Sequence, residues 1–313
     1  MSITAAELRA PDATQRLQHC LSQTLRWLYR QQLITGEMPA YRRIRQGETF
    51  CYPSPLVSAL AFEALACADP RSTSFSRRLY DVLPMAERKP LTCGVVTARW
   101  RLRCYVASQE FAAGQWRLYG REASGDAEPA TSSIGAAMLW QDQGANVQRG
   151  IETADRMFAL AGGSAFAQAA ALRLKAISSE DVSEQGGRLI DALECGPIER
   201  AAVVWMLTDA WRFARDPDDT AWTARLLDES LAVYESACAE SRLCAVFVTL
   251  TLLKLNYRGD EVEQMLGRML ADSEPPWRWP QEPIYRDLSS PALTAALTVA
   301  ALAAALDAWR SIC

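Results

Sequence analysis

The chain has 313 residues, half of them hydrophobic and 22% charged, with a formal net charge of −4. That length buries a substantial core, and that composition excludes a disordered chain. The mild negative balance gives no general electrostatic reason to bind nucleic acid or an anionic membrane, so neither is an expected partner.

Nine cysteines are scattered without a CxxC pair or a regular framework, which fits reduced thiols and predicts a cytoplasmic protein. His19 is the single histidine, so histidine-rich metal sites and Ser-His-Asp triads have no basis, and no metal or cofactor is expected. The N-terminus lacks a basic segment followed by an apolar core, and no secretory signal is expected. Pro291 to Leu306 is the most apolar run, largely alanine and interrupted by Thr294 and Thr298. It reads as a buried helix better than as a membrane span.

From Thr14 to Leu33, apolar residues at Leu17, Leu21, Leu25, Leu28 and Tyr29 follow a helical period and predict a one-sided helix. An irregular segment, 34–53, holds Tyr41, Phe50 and Tyr52 among arginines. Ser54 as cap and Pro55 in the first turn then open Leu56 to Cys67, apolar nearly all round and hence buried on every side. This alternation of an amphipathic helix with a wholly apolar one recurs. Cys93–Glu110 precedes Ser132–Trp140, Asn146–Leu160 precedes Phe166–Ile177, and Asp181–Leu193 precedes Arg200–Phe213. Thr220–Cys238 precedes Cys244–Leu255, and Asp260–Leu270 precedes Pro291–Trp309. The stretch 69–90 is not placed, and no strand pattern is evident.

SPLVSALAFEAL from Ser54 and SPALTAALTVAAL from Ser290 resemble each other, and both follow long aromatic loops, which points to an internal repeat. Alternating two-sided and one-sided burial predicts an all-α fold, an (α/α)6 barrel of inner and outer helices, with residues 1–313 as a single domain. The long connections 34–53, 111–131 and 271–289 then share one mouth, where aromatic side chains and inner-helix N-termini predict a ligand.

The segments GEMPAY from Gly36, YPSPLVSAL from Tyr52, QWRLYG from Gln115 and IYRDLSSPALTAAL from Ile284 resemble bacterial proteins with prenyltransferase and squalene-cyclase-like repeats, relatives of class II terpene cyclases. The resemblance implies the same barrel and a cyclase-like enzyme of bacterial secondary metabolism. It would protonate and cyclise a small hydrophobic substrate, an isoprenoid or polyene, in a dry aromatic-lined cavity. It places the substrate among Tyr41, Tyr52, Trp116, Tyr119, Thr131, Trp277, Trp279 and Tyr285. The family's Asp-x-Asp-Asp-Thr motif, whose middle aspartate donates the proton, falls on Glu128, Pro129, Ala130, Thr131 and Ser132. Ala130 stands where that acid belongs, which makes Asp126 and Glu128 the candidate catalytic acids.

A literal match occurs elsewhere, at Asp216-Pro217-Asp218-Asp219-Thr220, but it follows an inner helix and is expected on the opposite face as a helix cap. Glu37, Glu48, Glu199 and Asp287 are further acids near the mouth. Arg42, Arg43, Arg45, Arg117, Arg121, Arg278 and Arg286 could hold a diphosphate or carboxylate there, or pair with those acids. Cys51 and Cys244 are candidate nucleophiles at helix starts. The different-class alternative is a toroid without catalysis that binds a small apolar ligand or a partner protein. Aromatics buried by their own packing favour it.

Overall fold

The computed structural model describes residues 11–43, 49–68, 85–120, 126–141, 147–213, 220–271, 282–286 and 288–310. Among them lie twelve α-helices and four short strands. In chain order the helices are α1 (Pro11–Gln31), α2 (Pro55–Ala64), α3 (Met85–Ser108), α4 (Pro129–Gln141), α5 (Val147–Leu160), α6 (Ala165–Ile177), α7 (Ser183–Asp191), α8 (Pro197–Phe213), α9 (Thr220–Ala237), α10 (Arg242–Lys254), α11 (Asp260–Ala271) and α12 (Pro291–Arg310). A short 3-10 turn, Leu65–Ala68, extends α2. Helix α3 begins eight residues before the predicted Cys93, and most of the unplaced stretch, 69–84, lies outside the described residues.

The two kinds of helix follow from their sequences. In α1 the apolar period puts Leu17, Leu21, Leu25 and Leu28 on one buried face. In α10 the run from Leu243 to Leu253 has no polar stripe, and every residue of it is buried. The even-numbered helices are the apolar ones. Packing runs from α2 to α4, α6, α8, α10 and α12, and from α12 back to α2. Each odd-numbered helix lies on this circuit: α3 against α2 and α4, α5 against α4 and α6, α7 against α6 and α8, α9 against α8 and α10, α11 against α10, and α1 against α12. Pro291–Ala308 is long and apolar enough to cross a membrane by length and composition, but 78% of it is buried within the fold.

The strands correct the reading of an irregular, strand-free chain. β1 (Pro39–Arg43), β2 (Thr49–Pro53), β3 (Pro283–Tyr285) and β4 (Leu288–Ser289) form an antiparallel sheet in the order β2-β1-β4-β3. Tyr41 pairs with Cys51 on one side and Ser289 on the other. Strands of two to five residues cannot display a period of two, and β1 and β4 come from opposite ends of the chain, so no local pattern announces them. The sheet ties together the first and last of the long connections.

Candidate functional site

Two regions concentrate polar and aromatic groups, one at each end of the even-numbered helices. At the N-terminal ends the three long connections meet as the sequence predicts. The Gly120 amide donates to Pro53 O at 2.9 Å and the Ser54 hydroxyl donates to Leu118 O at 2.9 Å, joining the first connection to the second. The Tyr285 hydroxyl donates to Glu128 Oε1 at 2.9 Å, joining the second to the third.

Glu128 is buried at this junction. Its Oε2 accepts from the Thr131 amide and the Thr131 hydroxyl, each at 2.7 Å, while its backbone carbonyl accepts the first helical hydrogen bond of α4, from the Ser132 amide at 2.9 Å. It is therefore the N-cap of α4, with Pro129 at the first helical position. Arg286 Nη2 stands 3.9 Å from Oε1. In each of its side-chain hydrogen bonds the carboxylate is the acceptor, which is the wiring of a cap. Asp126, two residues earlier, is exposed.

The aromatics here are spent on packing. Trp116 is fully buried, its indole donating to Val106 O at 2.8 Å, and a Cβ on Gly135 would come within 3.1 Å of its ring. Tyr119 is buried against half-buried Tyr52, with ring centroids 5.4 Å apart, and Arg42 lies over the Tyr119 ring. Tyr285 stacks on Phe166 at 4.8 Å. Burial and the neighbouring Glu128 carboxylate push its phenol up to about 12, so it remains a donor. Tyr41 is half-buried in β1. Trp277, Trp279, Glu48, Asp287, Arg45, Arg121, Arg278 and the acids Asp216 to Asp219 lie outside the described residues.

The helix N-termini expected to attract an anionic ligand carry the chain's own acceptors. Hydroxyls of Ser54, Ser164, Ser241 and Ser290 cap α2, α6, α10 and α12. Glu199 accepts from the Phe166 amide at 3.4 Å, and Glu282 from the Leu243 amide at 2.8 Å. Glu37 is buried and accepts from the Thr35 hydroxyl. The two thiols are not activated nucleophiles. Cys51 sits in a strand and burial raises it, while Cys244 is buried in the first turn of α10 and raised to about 11 by that burial.

The C-terminal ends of the even-numbered helices hold what the sequence reading missed. A cavity of about 490 Å³ is lined by α2 (Glu63, Ala64), α6 (Arg173), α8 (Trp205, Asp209, Arg212), α10 (Leu250, Lys254) and α12 (Leu297, Ala300, Ala304, Asp307), with Cys67 from the 3-10 turn. Its polar side is an ion-pair chain. Arg173 donates from Nη1 to Glu63 Oε1 at 2.9 Å and from Nε to Asp209 Oδ2 at 3.2 Å, and Lys254 Nζ donates to Asp209 Oδ1. All four side chains are less than a fifth exposed. Lys254 Nζ also lies 5.0 Å from the centroid of the Trp205 ring.

Burial acts on the whole chain of charges. It raises the Glu63 carboxyl despite Arg173, and lowers the Lys254 ammonium despite Asp209. At Asp209 burial is opposed by Lys254 and Arg173, whose attraction wins and holds the carboxyl below its ordinary value. Cys67 stays a thiol, raised by burial to about 12. Two buried polar atoms of the lining residues, Glu63 Oε2 and Trp205 Nε1, have no hydrogen-bond partner among the described residues. Such orphans each cost about 1–3 kcal/mol.

No protein-family model matches the chain, and no curated protein matches it.

Proposed function

We propose that the twelve helices form an (α/α)6 barrel, even-numbered helices inside and odd-numbered outside, and that it binds a small amphiphilic molecule in the cavity at the C-terminal ends of the inner helices. Support for the barrel is the unbroken circuit from α2 to α12 and back. The observation that carries the binding reading is the contrast between the two ends. At the N-terminal end Glu128 and Tyr285 satisfy each other and the Trp116 indole is bonded to Val106 O, whereas the cavity combines an apolar wall of Leu250, Leu297, Ala300 and Ala304 with an ion-pair chain and two unpartnered polar atoms.

The test is thermal stabilisation by a series of fatty and isoprenoid alcohols, acids and aldehydes. A ligand present at 100 times its Kd adds about 2.7 kcal/mol, which raises Tm by several degrees in a chain of this size. Leu297→Trp, which fills the cavity, abolishes the rise. No stabilisation by any member of the series overturns the reading.

A second reading keeps cyclase-like general acid catalysis and is favoured by Glu63, a carboxyl raised by burial on a cavity wall that also carries the Trp205 indole. Glu63 then replaces Asp126 and Glu128 as the acid. Incubation with isoprenoid diphosphates or polyenes gives a product that vanishes in Glu63→Gln. A product lost instead in Glu128→Gln or Asp126→Asn returns the chemistry to the N-terminal end, and no product from the unaltered protein ends the enzyme reading.

A further inference from the structure

Lysine is rare in this chain. Lys89, Lys175 and Lys254 are the three lysines among 33 basic residues; Lys175 pairs with the exposed Asp155 across α6 and α5, whereas in the cavity wall the neighbouring buried cation on Glu63 and Asp209 is an arginine, Arg173. A guanidinium makes a better fork for a carboxylate and never loses its proton. An amine differs in one chemical respect, which is that once deprotonated it is a nucleophile. The lysine in the cavity wall stands where pairing alone would be served by arginine.

We propose that Lys254 captures a hydrophobic aldehyde or ketone in the cavity as an imine, with Asp209 as its proton partner and counterion. The proposal rests on the cavity being the binding site. Asp209 accepts the ammonium proton; the free Nζ electron pair attacks the carbonyl carbon, and the carbonyl π pair moves to oxygen, which takes that proton back from Asp209 and a second one from the added nitrogen. Loss of that oxygen as water forms the C=N bond. The protonated imine then holds the positive charge that Lys254 held before, against the same Asp209 carboxylate. No oxidant or reductant enters, and water reverses the step.

The surroundings suit this exchange. Asp209 from α8 is hydrogen-bonded to Nζ, and Leu250, Leu297, Ala300 and Ala304 supply a wall for an alkyl or prenyl tail. Burial, and the cations Arg173 from α6 and Arg212 from α8, favour the free amine, whereas Asp209 opposes them. Glu63 from α2 and Asp307 from α12 complete the charged lining. Trp205 presents its ring to the nitrogen, a contact that a protonated imine keeps.

The experiment uses the full chain with decanal and sodium cyanoborohydride, mass mapping of the reduced adduct, and decanol in parallel as a ligand that binds without reacting. One decyl group is expected on Lys254, in clear preference to Lys175 and Lys89, because the cavity holds the aldehyde chain beside this amine alone. The rate of capture rises with pH to a midpoint below that of an ordinary lysine. Lys254→Arg keeps a cation for Asp209 and loses the adduct. Even labelling of the three lysines while decanol binds overturns the proposal and leaves the cavity reading standing. Absence of both adduct and decanol binding overturns the two together.

Discussion

At Glu128 the carboxylate accepts from both donors of Thr131 and from Tyr285, so its removal strips the first turn of α4 of a cap and leaves three donors without it. Loss of an N-cap costs about 0.5–2 kcal/mol, and burial of the abandoned donors places Glu128→Ala at the upper end. Glu128→Gln keeps an acceptor oxygen for Thr131 and costs less. Urea unfolding midpoints at constant slope measure both, and a Glu128→Ala protein as stable as its parent contradicts the assignment as a cap. The role was legible in the sequence. Ser54-Pro55 is read as cap and first-turn proline; Ser290-Pro291 has the same two residues, and Glu128-Pro129 repeats the pattern with an acid in the capping place. Resemblance to a motif of acids drew the same residue toward chemistry. Glu63, Arg173, Asp209 and Lys254 left a fainter signal. Each is a charge near the C-terminal end of a helix that is otherwise mainly apolar, and two acids against two bases cancel. Charges near the C-terminal ends of four even-numbered helices, α2, α6, α8 and α10, are a pattern that a helix-by-helix reading treats as four unrelated boundaries.

Tyr285 shows what an element gains from one such contact. β3 and β4 together have five residues, too few to hold a position by ladder hydrogen bonds alone. They are held by pairing with β1, by the stack of Tyr285 on Phe166 of α6, and by its hydroxyl on the cap of α4. Tyr285→Phe keeps the stack and removes a hydrogen bond to a charged group, a loss of about 1.5–3 kcal/mol. The expected result is faster amide exchange in β1, β4 and the first turn of α4, with α10 unchanged. Uniform acceleration over the whole chain would mean that the hairpin unfolds only with the rest. The helices around it were legible because 3.6-residue periodicity or its absence persists over ten or more residues. The sheet was not, because its pairs are short and join Tyr41 to Ser289.

For the whole molecule, Asp209 binds Arg173 of α6 and Lys254 of α10 from its place on α8, while Arg173 reaches on to Glu63 of α2. Four even-numbered helices are thus linked through ionised groups where their apolar surfaces give way to a cavity. Removing one partner of a buried pair costs about 3–5 kcal/mol, because the charges left behind stay buried. Asp209→Asn is therefore expected to lower stability by that order at neutral pH. The pH dependence carries the sign. The folded Asp209 carboxyl is held below its unfolded value, so its contribution is fully present above about pH 4, where an unfolded aspartate is ionised, and is lost as pH falls through the depressed folded value. Glu63 acts in the opposite sense: its raised carboxyl burdens the folded state when ionised, and acidification toward about pH 4 relieves that burden. Stability measured from pH 7 downward should accordingly hold or rise slightly at first, then fall on the acid side through Asp209. In Asp209→Asn the late fall is diminished while the early rise from Glu63 persists. An unaltered acid limb in the variant would show that other carboxylates govern acid unfolding and that the even-numbered helices are held at this end by apolar packing alone.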